Sequence, residues 1–180
     1  MPEANWNGMF RRRILLPVAI LAALLLPKAA SAQSVYGWYT PPYFFSGDMG
    51  YYAPPRAHVD SRMDPRLLKA ARIAEEKAFP YSTMRCWRYV KQALLQAGAV
   101  GAYPTTNYAF QAGAELTNRY GFIRLRISDP YQAPVGAVCV YSGGGAGHVE
   151  IRTSHGFASD YRSPWRCKYH LTGVYAKFSA

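Results

Sequence analysis

The chain has 180 residues and a formal charge of +11, from 21 Lys and Arg against 10 Asp and Glu. That length allows one domain with a real core. The charge draws the chain to anionic polymers or serves solubility alone, and no RNA- or DNA-binding motif accompanies it, which excludes a nucleic-acid partner.

The N-terminus reads in three parts. A polar start ends in Arg11-Arg12-Arg13, an apolar run follows from Ile14 to Leu26, and Ala30-Ser31-Ala32 closes it with small residues. That order is a secretory signal peptide over residues 1–32. The 13-residue apolar run is too short to cross a bilayer. No stable membrane span is therefore expected after cleavage, and an uncleaved anchor is the alternative. The arginine run also permits twin-arginine export. Cleavage removes four basic residues and one acidic residue and leaves +8 on 148 residues. The protein is expected outside the cytoplasm, periplasmic or secreted. There a basic surface meets wall carboxylates, phosphates and lipid headgroups.

Residues 33–63 hold five tyrosines and four prolines, the latter as Pro41-Pro42 and Pro54-Pro55, with few aliphatic residues. Such a stretch reads as a linker that does not order itself. The structured domain is expected over 64–180. Asp64 suits a helix N-cap and Pro65 the first helical position, and Pro80 ends that helix. A second helix is predicted from near Thr83 to Gly98, with Ser82 or Thr83 as its cap, and a third from about Thr106 to Arg119. Short strands are predicted at 122–127, 135–141, 149–151, 157–161 and 169–178. Helices first and an antiparallel sheet after them give an α+β class.

Cys86 falls in the first turn of the second predicted helix, among unpaired backbone N–H groups and beside Arg85 and Arg88. That setting favours thiolate over thiol, although a small buried core residue fits the same position. A thiolate acting on an amide needs a base and acid, and His148 is the candidate. It opens His148-Val149-Glu150-Ile151 after a glycine-rich run. If Ser154-His155-Gly156 forms a three-residue turn, Glu150 lies opposite Asp160. His148 and Asp160 then share a polar face with Glu150, Arg152 and Arg162, and Val149, Ile151, Phe157 and Tyr161 form the core face. Asp160 could hold His148 in the third position of a triad, and Glu150 competes for that role. A solvated face with surface ion pairs is the alternative. A turn one residue shorter would put Asp160 on the wrong face.

Taken in order, Met84-Arg85-Cys86-Trp87-Arg88-Tyr89-Val90, Pro134-Val135-Gly136-Ala137-Val138-Cys139-Val140-Tyr141 and Gly147-His148-Val149-Glu150-Ile151 resemble the NlpC/P60 and CHAP group of papain-like cysteine peptidases and amidases. The chain has Arg85-Cys86-Trp87-Arg88 where that group has Asp-Cys-Ser-Gly, which places it nearer CHAP or a divergent branch. The resemblance implies a papain-like fold with helices packed on a small antiparallel sheet. It implies Cys86 as nucleophile, His148 as base and Asp160 as third residue, with peptidoglycan peptides as substrate and no cofactor. The oxyanion hole would use the Cys86 N–H and one upstream group; Tyr81 lies in that neighbourhood, with core packing as its other reading. With Cys86 taken as nucleophile, Cys139 and Cys167 are left as a disulfide pair or as two buried thiols. His58, His148, His155 and His170 form no metal-ligand pattern, so no metal is expected. A cell-wall-binding module without activity and an acyl transferase are the competing functions on the same fold.

Overall fold

The structure is a computed structural model that describes residues 56–179. The expected signal segment and most of the Tyr/Pro-rich stretch lie outside the described residues. Contacts of the domain begin ahead of Asp64. The His58 carbonyl accepts from the Val135 N–H at 2.9 Å, and Met63 is buried and bridges to Phe178.

Helix α1 spans Pro65–Lys77, and the Asp64 carboxylate caps it by accepting from the Arg66 N–H. Its buried residues Leu67, Ala70, Ala71 and Ala74 follow the i, i+3, i+4, i+7 spacing of one helical face. Helix α2 spans Cys86–Ala97 and buries Val90, Ala93, Leu94 and Ala97 at the same spacing, with Trp87 ahead of them. Gly98 stops it in a left-handed conformation, as the sequence predicts. The two helices pack on each other, and both lie against the sheet. A short 3-10 turn at Ala109–Gln111 leads into α3 at Ala112–Tyr120, which is capped by Gly121. The third helix thus begins later than its pattern suggests, because Glu115 holds Thr105 and Thr106 in the loop ahead of it.

Six antiparallel strands follow: β1 Ile123–Leu125, β2 Val138–Ser142, β3 His148–Thr153, β4 Gly156–Ala158, β5 Arg162–Ser163 and β6 His170–Ala176. Their order is β1-β6-β2-β3-β4-β5, so the class is α+β with an antiparallel sheet. The centre of the sheet is dry. Val138 to Tyr141 of β2 are all buried, and so is every residue of β3. Gly136 lets β2 start directly over α1: its φ is +96°, and a Cβ there would meet the Leu67 carbonyl oxygen at 2.8 Å.

The hairpin from β3 to β4 differs from the three-residue turn predicted. Thr153 pairs with Gly156, Arg152 with Phe157 and Ile151 with Ala158, so the turn is Ser154-His155 alone. One residue fewer exchanges the faces of β4 relative to β3. Phe157 therefore shares a face with Arg152, whose guanidinium lies 4.7 Å from the Phe157 ring centre. The polar face is no solvated surface either, since Arg152 is 1% exposed.

Loop 105–108 is pinned from two sides. The buried Glu115 carboxylate accepts from the Thr105 N–H at 2.6 Å, the Thr106 N–H at 3.0 Å and both threonine hydroxyls. From α2, the Trp87 indole N–H reaches the Thr106 hydroxyl at 3.0 Å and Lys91 reaches the Thr106 carbonyl at 2.5 Å. Bonds to a buried charge are the strong kind, and deleting the acceptor strands its donors. Glu115→Ala is expected to cost about 2–4 kcal/mol in a chemical denaturation titration. A loss below about 1 kcal/mol would mean that water replaces the carboxylate.

Candidate active site

Cys86 is the first residue of α2, half-buried and free of any disulfide. Neither Ser82 nor Thr83 caps the helix. Arg85 stands at the N-cap and supplies no side-chain bond. The carboxylate that organises this end is Asp160, which is fully buried. Its Oδ2 accepts from the Thr83 N–H at 2.6 Å, the Arg85 N–H at 3.1 Å, the Thr83 hydroxyl at 3.0 Å and the Ser82 hydroxyl at 3.2 Å. Its Oδ1 accepts from the Ser159 hydroxyl at 3.1 Å. Met84, between the two donating amides, has φ +61°, and this left-handed residue turns neighbouring N–H groups toward one anion. Burial would raise the Asp160 pKa, but the backbone bonds from Arg85 and Thr83, with the hydroxyls, hold it below the usual carboxylate value.

Asp160 is thus the anchor of the loop before Cys86, and the structure gives His148 a different neighbour. His148 and Glu150, two apart on β3, share a face by strand periodicity. His148 Nε2 lies 3.2 Å from Glu150 Oε2. The other oxygen, Oε1, accepts from the Tyr141 hydroxyl at 2.6 Å and the Cys167 N–H at 3.3 Å. This corrects the geometry expected of Asp160. With the shorter turn, the register continued outward would set Val149 rather than Glu150 across from it. The strand's own i, i+2 pairing brings Glu150 to the imidazole instead.

Cys86 is the other neighbour of His148, near enough that its side chain acts on the imidazole pKa beside Glu150. With Nε2 turned to Glu150, Nδ1 is the ring nitrogen left for the thiol. Burial works to lower the His148 pKa, but the neighbouring Cys86 and Glu150 side chains outweigh it and raise it to about 10. The imidazole is therefore protonated at neutral pH. Gly147 sets the entry of β3: its φ is +75°, and a Cβ would meet the Tyr141 carbonyl at 2.5 Å.

An open pocket of about 240 Å³ lies in front of Cys86, lined also by Met84, Arg85, Trp87, Arg88, Asn107 and Ala146. A larger hollow, about 460 Å³, sits against α3 between Thr105 and Arg119. Neither Cys86 nor His148 lines it, so the candidate site is the smaller one. Tyr81 is neither core nor pocket wall. It is 68% exposed and stacks on Phe79 with ring centres 6.4 Å apart.

The disulfide expected between Cys139 and Cys167 is not formed; all three thiols are free. Cys139 is fully buried in β2 across from Glu150, and burial, followed by the Glu150 charge, keeps its thiol protonated. Cys167 uses its backbone N–H on Glu150, and burial raises its thiol pKa. Sequence reading missed Tyr141 and the structural role of Asp160. Tyr141 was accessible in principle, because a tyrosine one strand over from a buried Glu has few other acceptors.

The raised pKa of His148 predicts the sign of a pH effect. Folding favours the imidazolium, so its stabilisation is complete below about 6.5 and is lost as pH rises through about 10. In an NMR titration of labelled histidine, Glu150→Gln should lower the His148 midpoint by about one pH unit or more. Asp160→Asn should leave it near its original place. The reverse pattern would return the partner role to Asp160.

No family model matches the sequence, and no curated protein matches it. Two solved chains are similar to it, both from the type VI effector–immunity complex Tae3–Tai3 of Ralstonia pickettii. The chain from the native complex is 21% identical with a TM-score of 0.49, over 63% of this chain and 98% of its own length. The chain from the SeMet complex is 24% identical with a TM-score of 0.47, over 60% and 99%.

Proposed function

We propose that this chain is an exported cysteine hydrolase that cuts amide bonds of peptidoglycan peptides, as an endopeptidase or amidase. The observation that carries the reading is Cys86, in the wall of an open pocket, beside a His148 backed by the buried carboxylate of Glu150. Export and a periplasmic or secreted location rest on the N-terminal targeting pattern. Peptidoglycan as partner rests on that location, the basic charge and the resemblance of the motifs.

In this mechanism the Cys86 Sγ, as thiolate, attacks the carbonyl carbon of the scissile amide. The carbonyl oxygen takes up the charge and is met by the Cys86 N–H, which opens α2 and has no intrahelical acceptor. The C–N bond breaks as His148 gives its Nδ1 proton to the leaving amine, leaving a thioester on Cys86. Water then attacks the thioester. His148 takes the proton from that water, the carboxylic acid product departs, and the thiolate and imidazolium are restored. Glu150 fills the third position: its Oε2 keeps Nε2 protonated and turns Nδ1 toward the sulfur. Asp160 acts one step back by fixing the turn that sets the height of Cys86.

The test is direct. Purified protein incubated with peptidoglycan of several chemotypes should release new peptide fragments, read by mass spectrometry, and the fragments name the bond. Cys86→Ala should release none while still sedimenting with the wall. Glu150→Gln should lower kcat about 10²-fold or more. Fragments from Cys86→Ala would sink the proposal. Wall binding without fragments from either protein would move the function to a binding module.

A further inference from the structure

The pocket before Cys86 is lined by two cationic residues and no carboxylate. Arg85 immediately precedes the thiol and Arg88 lies in the first turn of α2; both side chains are exposed and line the pocket. The other lining residues are Met84, Trp87, Asn107, Ala109 and Ala146, so no carboxylate faces the cavity. Elsewhere in the domain Arg62, Arg66, Arg72 and Arg119 each lie within 4.0 Å of a carboxylate. Among the described residues no such partner is found for Arg85 or Arg88. The nearby Asp160 is buried and already accepts from two amides and three hydroxyls. The backbone of Arg85 serves that anchor through its N–H, which leaves its guanidinium for the cavity.

Two like charges beside one small pocket repel each other, and among the described residues no carboxylate pairs with either, so the Cys86 thiolate of the proposed chemistry is the one anion that faces both. A bound carboxylate would compensate them, because a guanidinium presents paired N–H donors that match two carboxylate oxygens. We propose that Arg85 and Arg88 bind a free carboxylate next to the scissile amide, so that the site selects acidic peptides over their amidated forms. This rests on the hydrolase reading for the word scissile, but the carboxylate subsite stands on the pocket itself. Methylation or amidation of the substrate carboxyl removes the charge and one acceptor, and thus the interaction. Asn107, on the same wall, adds a side-chain donor and acceptor for the adjoining amide.

The experiment uses Cys86→Ala protein, which holds substrate without turning it over. The probes are soluble stem peptides released from peptidoglycan, either with free carboxyl groups or amidated with carbodiimide and ammonia. Calorimetry should show the free acids binding about tenfold tighter or better, with the difference shrinking as salt rises. Adding Arg85→Gln and Arg88→Gln should bring the two forms to within about twofold. Both side chains are exposed, so these changes leave the packing of α2 intact. Equal binding of the two forms, no binding of either, or discrimination that survives the double substitution would overturn the inference. Hydrolysis by the unsubstituted protein is followed in parallel. Fragments without discrimination would keep the hydrolase reading and remove the subsite. Discrimination without fragments would keep the subsite and remove the hydrolase reading.

Discussion

The site depends on a buried carboxylate that takes no part in the proposed bond breaking. Asp160 is fully buried at the end of the β4 segment and gathers donors from 82–85, more than 70 positions earlier in the chain. A carboxylate out of water costs several kcal/mol unless its lone pairs are met, and here the Thr83 and Arg85 amides and three hydroxyls meet them. The same segment is zipped by backbone bonds: the Phe79 N–H donates to the Asp160 carbonyl and the Arg162 N–H to the Phe79 carbonyl. Helix α2 is therefore tied to the sheet at its first residue, where Cys86 sits. Its own first-turn amides stay uncommitted because the capping anion binds the loop ahead of the helix.

A second buried carboxylate fixes the imidazole. The register of β2 with β3 sets Tyr141 across from His148 and Cys139 across from Glu150. The Tyr141 hydroxyl crosses that ladder to Glu150 Oε1, which leaves Oε2 for the ring of His148. Burial, followed by the charge of Glu150, holds the phenol well above its ordinary pKa, so it stays a donor. The two acids divide the work by position on the fold. Glu150 sits two residues from His148 on one strand and orients it, while Asp160 sits past the strand end and orients the helix.

Much of this was legible before any coordinates. Asp64-Pro65, Gly98 and Gly121 mark helix ends by their own backbone chemistry, and the apolar run from Val135 to Tyr141 reads as a strand, which the structure starts at Val138. The pair Cys86 and His148 follows from helix position and strand start. The carboxylate that neighbours His148 was not legible, because Ser154-His155-Gly156 suits a turn of two residues as well as three. Gly156 belongs to β4 with φ +146°, a conformation that the residue identity permits and does not announce. One residue of turn decides which side of the strand Asp160 faces. The cysteine pairing failed for another reason. Counting left-over thiols says nothing of where their Cβ atoms point.

The charges of the cleft are arranged front to back. Behind His148 the acids are buried and saturated with donors; in front of Cys86 the arginines face water and lack carboxylate partners among the described residues. Low-dielectric walls focus the field of such charges into the opening. On the proposed chemistry that polarity suits each step. An acidic peptide is drawn to the arginine side, which brings its carbonyl onto Cys86. The negative charge of Glu150 steadies the imidazolium until a departing amine takes its proton. Reversing the arrangement, with acids at the mouth, would repel the same peptide and compete for the His148 proton. On that reading the sheet holds the group that manages protons, and the helix start holds the groups that meet the substrate.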